Sequence, residues 1–115
     1  MPRYVVLEHD HPSLHWDFML ETGNRLRCWR LLAPPCNGKT IQATPLGDHR
    51  FLYLDYEGPV SGKRGRVVRW DSGTYEWIVD KRDRLEVMLQ GDHLQGRAIL
   101  TRVADTDWVF KLANN

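Results

Sequence analysis

The sequence has little of several features that would point directly to a function. Only two of its 115 residues are cysteines, Cys28 and Cys36, and their spacing fits neither a CxxC metal site nor a disulfide framework. Sixteen basic and fifteen acidic side chains give a formal net charge of +1, so no overall field indicates a nucleic-acid partner. No apolar run approaches the roughly 20 residues of a membrane-spanning helix, and nothing ahead of Tyr4 is typical of a signal peptide. These absences favour a cytoplasmic protein without a membrane role.

The chain nevertheless has enough large apolar side chains to fold. Apolar residues make up 42% of the sequence, and they include five Trp, four Tyr and three Phe. This content argues against disorder, and the length suits one small domain over residues 1–115 without an internal boundary.

The periodicity of the apolar residues is that of β-strands. Apolar and polar residues alternate in short segments: "RYVVLE", "LHWDFMLE", "RLRCWRLL", "FLYLDYEG", "GRVVRW", "TYEWIV", "RLEVMLQ", "GRAILTRV" and "DWVFKL". Turn residues separate many of them, at 22–24, 71–73, 91–92 and 105–107. The proline-containing stretch 33–46 is predicted to be one long loop. No helix longer than a turn or two is predicted.

An all-β fold with this many short strands must pair or cover the edge strands of its sheet. About eight strands in a flat sheet would leave edges open, so we expect a small closed or nearly closed antiparallel β-barrel. A two-sheet sandwich is the alternative.

The segment "HDHPSLHWDF", residues 9–18, concentrates three histidines and two aspartates. In a strand, His15 and Asp17 share one face, while Leu14, Trp16, Phe18 and Leu20 form the other, which we expect to be the buried one. A turn near Pro12 would return His9 beside His15. Two imidazoles and a carboxylate form a mixed N/O set suited to Mn, Zn or Fe. His11 is predicted to be a fourth ligand, a residue that contacts the ligands from behind, or a solvent-facing residue without a role. The alternative for His9 and His15 is that they are polar residues at a strand end.

A second polar group lies in "DHRFLYLDYEG", residues 48–58. His49 can act as a general acid or base or contact a phosphate, and the Tyr53 hydroxyl can donate to a phosphoryl oxygen. The alternative is that Tyr53 belongs to the core and His49 caps a turn.

Together these segments resemble the 3′-phosphoesterase domain of bacterial ATP-dependent DNA ligase D, which also occurs as a stand-alone protein. The family has a His six residues before L-H-Y-D-F-R-L-E, matched here by His9 and "LHWDFMLE". The segments "DHRFLYLDYEG", "SGKRGRVVRWDSGTYEW", "LQGDHLQGRAILTR" and "WVFK" match further family motifs in the same order. The resemblance covers nearly the whole chain.

This resemblance implies a metal-dependent β-barrel enzyme that repairs DNA 3′ ends. It would remove a 3′-terminal ribonucleoside and hydrolyse the remaining 3′-phosphate, next to a separately encoded ligase or polymerase. Its metal, manganese first with zinc or cobalt as alternatives, would be held by His9, His15 and Asp17. His49 and Tyr53 would be catalytic beside His15.

The chain departs from the family at three cationic positions. Met19 replaces an Arg on the strand that carries Asp17, "LAP" at 32–34 lacks a Lys, and "KTIQATPLG" lacks an Arg. Phosphoryl transfer depends on such charges. Arg50, which replaces a family Pro, and Arg27 and Arg30 on the neighbouring strand are predicted to bind the substrate phosphate instead. Lys63, Arg64 and Arg66 are further sources of charge.

The lost cations also support two other hypotheses. One is a module that binds nucleic-acid ends or a repair partner without turnover. The other keeps the metal but acts on a small phosphorylated molecule, which the near-neutral charge allows.

Overall fold

The protein is described by a computed structural model that covers residues 1–113. Those residues form nine strands and one short 3₁₀ helix, η1. In chain order these are β1 (Arg3–His9), β2 (His15–Thr22), β3 (Arg25–Leu31), β4 (Thr40–Arg50), η1 (Phe51–Leu54), β5 (Gly58–Pro59), β6 (Arg66–Lys81), β7 (Arg84–Gly91), β8 (Gln95–Ala104) and β9 (Asp107–Ala113).

The strands close into an antiparallel barrel. The order around it is β1-β2-β3-β4-β9-β8-β7-β6, and β6 pairs again with β1, so eight strands complete the circle. The two-residue strand β5 lies outside and pairs only with β6. The predicted closed barrel of about eight strands is confirmed. No helix in residues 1–113 has the length and apolar character needed to cross a membrane.

Apolar side chains pack on both faces of β1, β2 and β3. The barrel interior holds one cluster, which includes Tyr4, Val6 and Phe18. A second cluster lies on the outer face and comprises Val5, Leu7, Met19, Leu26, Cys28, Leu54 and Val67. The prediction of a single buried face on β2 is therefore wrong, because His15, Asp17 and Met19 are buried as well, while Leu14 is 54% exposed.

The outer cluster explains why residues 51–58 are not a long strand. Strand β4, which leads into them, is paired with β3 and β9, so every strand of the closed barrel already has two neighbours. The segment instead makes the one-turn helix η1, which places Leu54 in the outer cluster. The prediction of a strand over "FLYLDYEG" is wrong for this reason.

Strand β4 occupies much of the segment predicted as a loop. It begins at Thr40 and contains Pro45, which pairs in register with Trp29 of β3. On the other side, β9 pairs only with residues 40–43 of β4. Pro45 therefore lies on a free strand edge, where a missing N–H costs no ladder hydrogen bond.

The predicted turn at 71–73 is also wrong, because β6 runs without interruption from Arg66 to Lys81. A Cβ on Gly73 would lie 2.1 Å from the Gln90 carbonyl oxygen, so glycine is needed here for close contact between strands rather than for a turn. The register between β1 and β6 shifts at Val6 and Leu7, which marks a bulge near Asp71.

Candidate functional site

His9, His15 and Asp17 converge on the outer face of the barrel. His9 is the last residue of β1 and pairs in register with His15, the first residue of β2. His15 is 2% and Asp17 3% exposed. One donor atom from each of the three residues lies within 4.8 Å of the other two.

Backbone carbonyls determine which ring nitrogens carry protons. His15 Nδ1–H donates to the Ser13 carbonyl oxygen at 2.8 Å, and His9 Nε2–H donates to the Arg64 carbonyl oxygen at 2.8 Å. A carbonyl oxygen can only accept, so both of these nitrogens are protonated. In the neutral rings, the lone pairs of His15 Nε2 and His9 Nδ1 then face Asp17.

When both rings are neutral, these lone pairs and the carboxylate form a cluster of acceptors without a cationic partner among the described residues. His15 Nε2 lies 3.2 Å from Asp17 Oδ1, and His9 Nδ1 lies 3.6 Å from Asp17 Oδ2. Asp17 Oδ1 is buried and, among the described residues, has no well-aligned hydrogen bond. Two ligands about 2.1 Å from one ion, at angles of 90–110°, would be roughly 3.0–3.4 Å apart. The 3.2 Å separation lies within this range and the 3.6 Å separation slightly beyond it, so the donor set comes close to the spacing of a divalent metal site, with each imidazole oriented by a carbonyl behind it.

Residues 51–65 cover this face of the barrel and bring Tyr53 to it, and His49 lies near the end of strand β4, paired in register with Leu26 of β3. Leu54 anchors the segment in the outer cluster. The Arg3 guanidinium bonds Asp55 at 2.5 Å and lowers the pKa of that carboxyl. The His49 and Tyr53 rings lie 6.1 Å apart, centroid to centroid. His49 Nδ1–H donates to the Gly47 carbonyl oxygen at 2.9 Å, which leaves Nε2 as its free nitrogen.

A cavity of about 680 Å³ lies between the barrel face and this covering segment. Its lining includes the ligand candidates His9 and Asp17 together with His49 and Tyr53. Three arginines, Arg30, Arg50 and Arg64, line the same cavity. The cavity is thus lined both by side chains that could bind a metal ion and by guanidinium groups that could bind an anion.

Comparison with known proteins identifies the family. Residues 7–102 match the family model of the DNA ligase D 3′-phosphoesterase domain. The chain belongs to this family. It is 34% identical over 110 residues to the multifunctional non-homologous end joining protein LigD of Pseudomonas aeruginosa, covering 87% of this chain and 13% of that protein. It is 32% identical over 121 residues to the LigD of Mycobacterium bovis, covering 97% of this chain and 16% of that protein. The chain thus spans about one-seventh of the length of these relatives.

The structure separates the cations that the sequence grouped together. Arg30 and Arg50 line the cavity of this 3′-phosphoesterase-family domain, but Arg27 does not. Arg27 stacks over the rings of Trp29 and Trp77, at 5.4 and 5.7 Å, and pairs with Asp80 at 3.6 Å. An odd spacing along a strand places Arg27 and Arg30 on opposite faces.

Two neighbours of the three-donor cluster stay outside it. His11 lines the cavity but is exposed, with its ring 6.5 Å from that of His9. Cys28 lies on the same strand face as Arg30. Burial raises the pKa of the Cys28 thiol well above its usual value and the Asp17 carboxylate raises it further, which keeps the thiol neutral.

Sequence reasoning missed the loop that orients His9. Asp10 Oδ1 accepts a hydrogen bond from the Arg66 backbone N–H at 2.9 Å, and a Cβ on Gly65 would lie 2.1 Å from the same oxygen. Gly65 adopts a φ of 72°, and its contact with Asp10 holds the Arg64 carbonyl against His9. The only sequence signal was a glycine within a basic run, which does not reveal a contact with a residue more than fifty positions away.

Proposed function

We propose that this domain is a divalent-metal-dependent phosphoesterase that processes 3′ ends of DNA, including ends with a terminal ribonucleoside. The observation that carries the proposal is the largely buried cluster of His9, His15 and Asp17, whose donor atoms lie within 4.8 Å of one another beside a cavity that three arginines line. Family membership supports the same reaction class. A role in end joining, with a ligase or polymerase encoded separately, is part of the proposal.

The residues divide into metal-holding and phosphate-holding groups. His9, His15 and Asp17 would hold the metal, with manganese as the first candidate and zinc or cobalt as alternatives. When bound, the metal would supply Lewis acidity at a phosphoryl oxygen and acidify a water. His49 and Tyr53 line the same cavity, where the Tyr53 hydroxyl, and His49 when its ring carries both protons, would donate hydrogen bonds to charge that develops on the phosphoryl oxygens. Arg30 and Arg50 supply positive charge.

The test is hydrolysis of a 3′-phosphorylated primer by the purified protein with manganese, zinc or cobalt. We expect a 3′-OH product, with loss of at least about 100-fold in rate for His15→Ala, because even an outer-shell substitution typically costs 10–100-fold. His93→Ala removes an exposed histidine outside this cavity and serves as the matched control. No product with any of these metals, or equal product from His15→Ala, would contradict the proposal.

A binding assay distinguishes the non-catalytic alternative, which is motivated by Met19. This apolar residue is only 1% exposed and lies on the strand face of Asp17, where the family motif has an Arg. Binding to DNA ends that weakens steeply with salt, without hydrolysis under any of the metals, would favour a recognition module. Comparing a nucleoside 3′-phosphate with the oligonucleotide tests the small-molecule alternative.

A further inference from the structure

Arg30 differs from the other arginines in the described part of the chain. Half-buried arginines elsewhere in residues 1–113 have carboxylate partners; these are Arg3, Arg27, Arg97 and Arg102. Arg30 is half-buried and has no ion pair within the same residues. Its Nε, like that of Arg97, is buried without a hydrogen-bond acceptor, but Arg97 has Glu86 as an ion-pair partner. A guanidinium stays charged in proteins, and a charge removed from water without a partner is costly.

The location of Arg30 indicates what its partner is. It pairs in register with Asp17, so the two side chains leave the same face of the barrel. Arg30 and Asp17 line the cavity, yet they make no ion pair. The Asp17 carboxylate faces His9 and His15 instead. The guanidinium is therefore available to an anion that occupies the cavity beside the candidate metal ligands.

We propose that Arg30 is the principal phosphate-binding residue of the site, contacting non-bridging oxygens of the reacting phosphoryl group from the barrel side. This inference rests on the proposed function. Planar guanidinium groups bind phosphate oxygens in a bidentate manner. Met19 follows Asp17 on the same face of β2, where it pairs with Cys28, and its side chain carries no charge. Arg30 thus supplies, from β3, the cation that Met19 cannot supply from β2.

Arg50 plays a different part because it is exposed. It lies at the end of β4 on the solvent side of the cavity. Salt screens exposed charges at a distance far more than half-buried ones. The effect of Arg50→Met should therefore shrink as salt rises, whereas the effect of Arg30→Met should persist.

Steady-state kinetics on the 3′-phosphorylated primer test the assignment. We expect Arg30→Met to lower kcat/KM by about 10²–10³-fold and Arg30→Lys to recover only part of it, since an ammonium lacks the bidentate geometry. Added guanidinium ion should restore activity to Arg30→Ala. The matched control is Arg27→Met, which removes the same group from the same strand but outside the cavity. Equal kcat/KM for Arg30→Met and wild type would overturn the inference.

A second readout requires neither metal nor turnover. Titration of the metal-free protein with inorganic phosphate should shift the NMR resonance of the Arg30 Nε–H, which has no acceptor in the structure, and leave that of Arg27 in place. An unmoved Arg30 resonance would overturn the inference. If the resonance shifts but no metal supports hydrolysis, the anion site stands and the proposed reaction fails. If hydrolysis is metal-dependent but indifferent to Arg30, only the present inference fails.

Discussion

Two buried aspartates in this barrel have opposite surroundings. Asp71 of β6 is 2% exposed and accepts three hydrogen bonds, from the Tyr4 hydroxyl at 2.6 Å and from the backbone N–H groups of His93 and Leu94 at 2.9 and 3.1 Å. Asp17 of β2 is 3% exposed, and the nitrogens that face it are acceptors in the neutral rings. Asp71 is satisfied by hydrogen-bond donors of the protein, whereas the Oδ2 atom of Asp17 has only the hydrogen-bond contact with His15 Nε2 at 3.3 Å, and its Oδ1 has no hydrogen-bond partner among the described residues.

The difference distinguishes a structural carboxylate from a functional one. A buried polar group that the fold satisfies ties elements together, and Asp71 connects β6 to the turn after β7 and to Tyr4 of β1. A buried carboxylate left among acceptors costs stability unless a cation joins it. Asp17 is therefore the carboxylate that the proposed metal ion would neutralise.

Asp17→Asn should give the largest functional change in this comparison. The amide loses the negative charge, so we expect the 3′-phosphoesterase rate and manganese affinity to fall by at least about 100-fold. In the metal-free protein, the new N–H donors can bond the facing imidazole nitrogens, so unfolding in urea with chelator should require as much free energy as wild type or about 1 kcal/mol more. Clear destabilisation of the metal-free variant would contradict our description of Asp17.

Asp71→Asn should give the opposite pair of results. Its amide presents an N–H₂ group where the native oxygen accepts bonds, so we expect the free energy of unfolding to fall by about 2–3 kcal/mol. Urea denaturation with chelator measures this directly. Manganese should still stabilise the folded variant, because the candidate ligands are on other residues. Loss of manganese binding with unchanged stability would reverse the roles of the two aspartates.

Tyr4→Phe should weaken the same network by a smaller amount. It removes one donor while both backbone donors to Asp71 remain, and we expect a loss of about 1–2 kcal/mol. Burial, with the bond to Asp71, raises the pKa of the Tyr4 phenol well above its ordinary value. Its contribution is therefore complete below the unfolded pKa of about 10 and declines as pH rises beyond it. Urea unfolding at pH 7 and pH 11 should show the gap between wild type and Tyr4→Phe narrowing.

The sequence predicted the barrel and the candidate ligand set, but not what lies around them. Strand alternation puts His15 and Asp17 on one face whatever the rest of the fold does, so their proximity followed from local geometry alone. The Arg64 carbonyl that orients His9 comes from a loop fifty-five residues away. That contact depends on tertiary packing, which no local pattern encodes.

The misassigned elements have the same cause. Residues 51–54 are a continuous apolar run, yet they form η1, because every strand of the closed barrel already has two neighbours and this segment packs Leu54 into the outer cluster. Arg27 and Arg30 were both predicted to bind the substrate phosphate, and their odd spacing assigns them to opposite faces of β3, so that of the two only Arg30 lines the cavity. Strand alternation predicts that the two arginines lie on opposite faces, but it does not predict which face of β3 adjoins Asp17.

The smallest effect concerns a third carboxylate, Asp55, which is exposed and tethers the covering segment to β1 through Arg3. The guanidinium lowers the pKa of this carboxyl, so the pair stabilises the fold above the unfolded pKa of about 3.8 and the contribution is lost as pH falls through the lowered value. Asp55→Asn should therefore be slightly less stable than wild type at pH 7 in low salt. The difference in melting temperature should fade both at high salt and in strong acid. A difference that survives in acid would mean that the Asp55 side chain does not act through its charge.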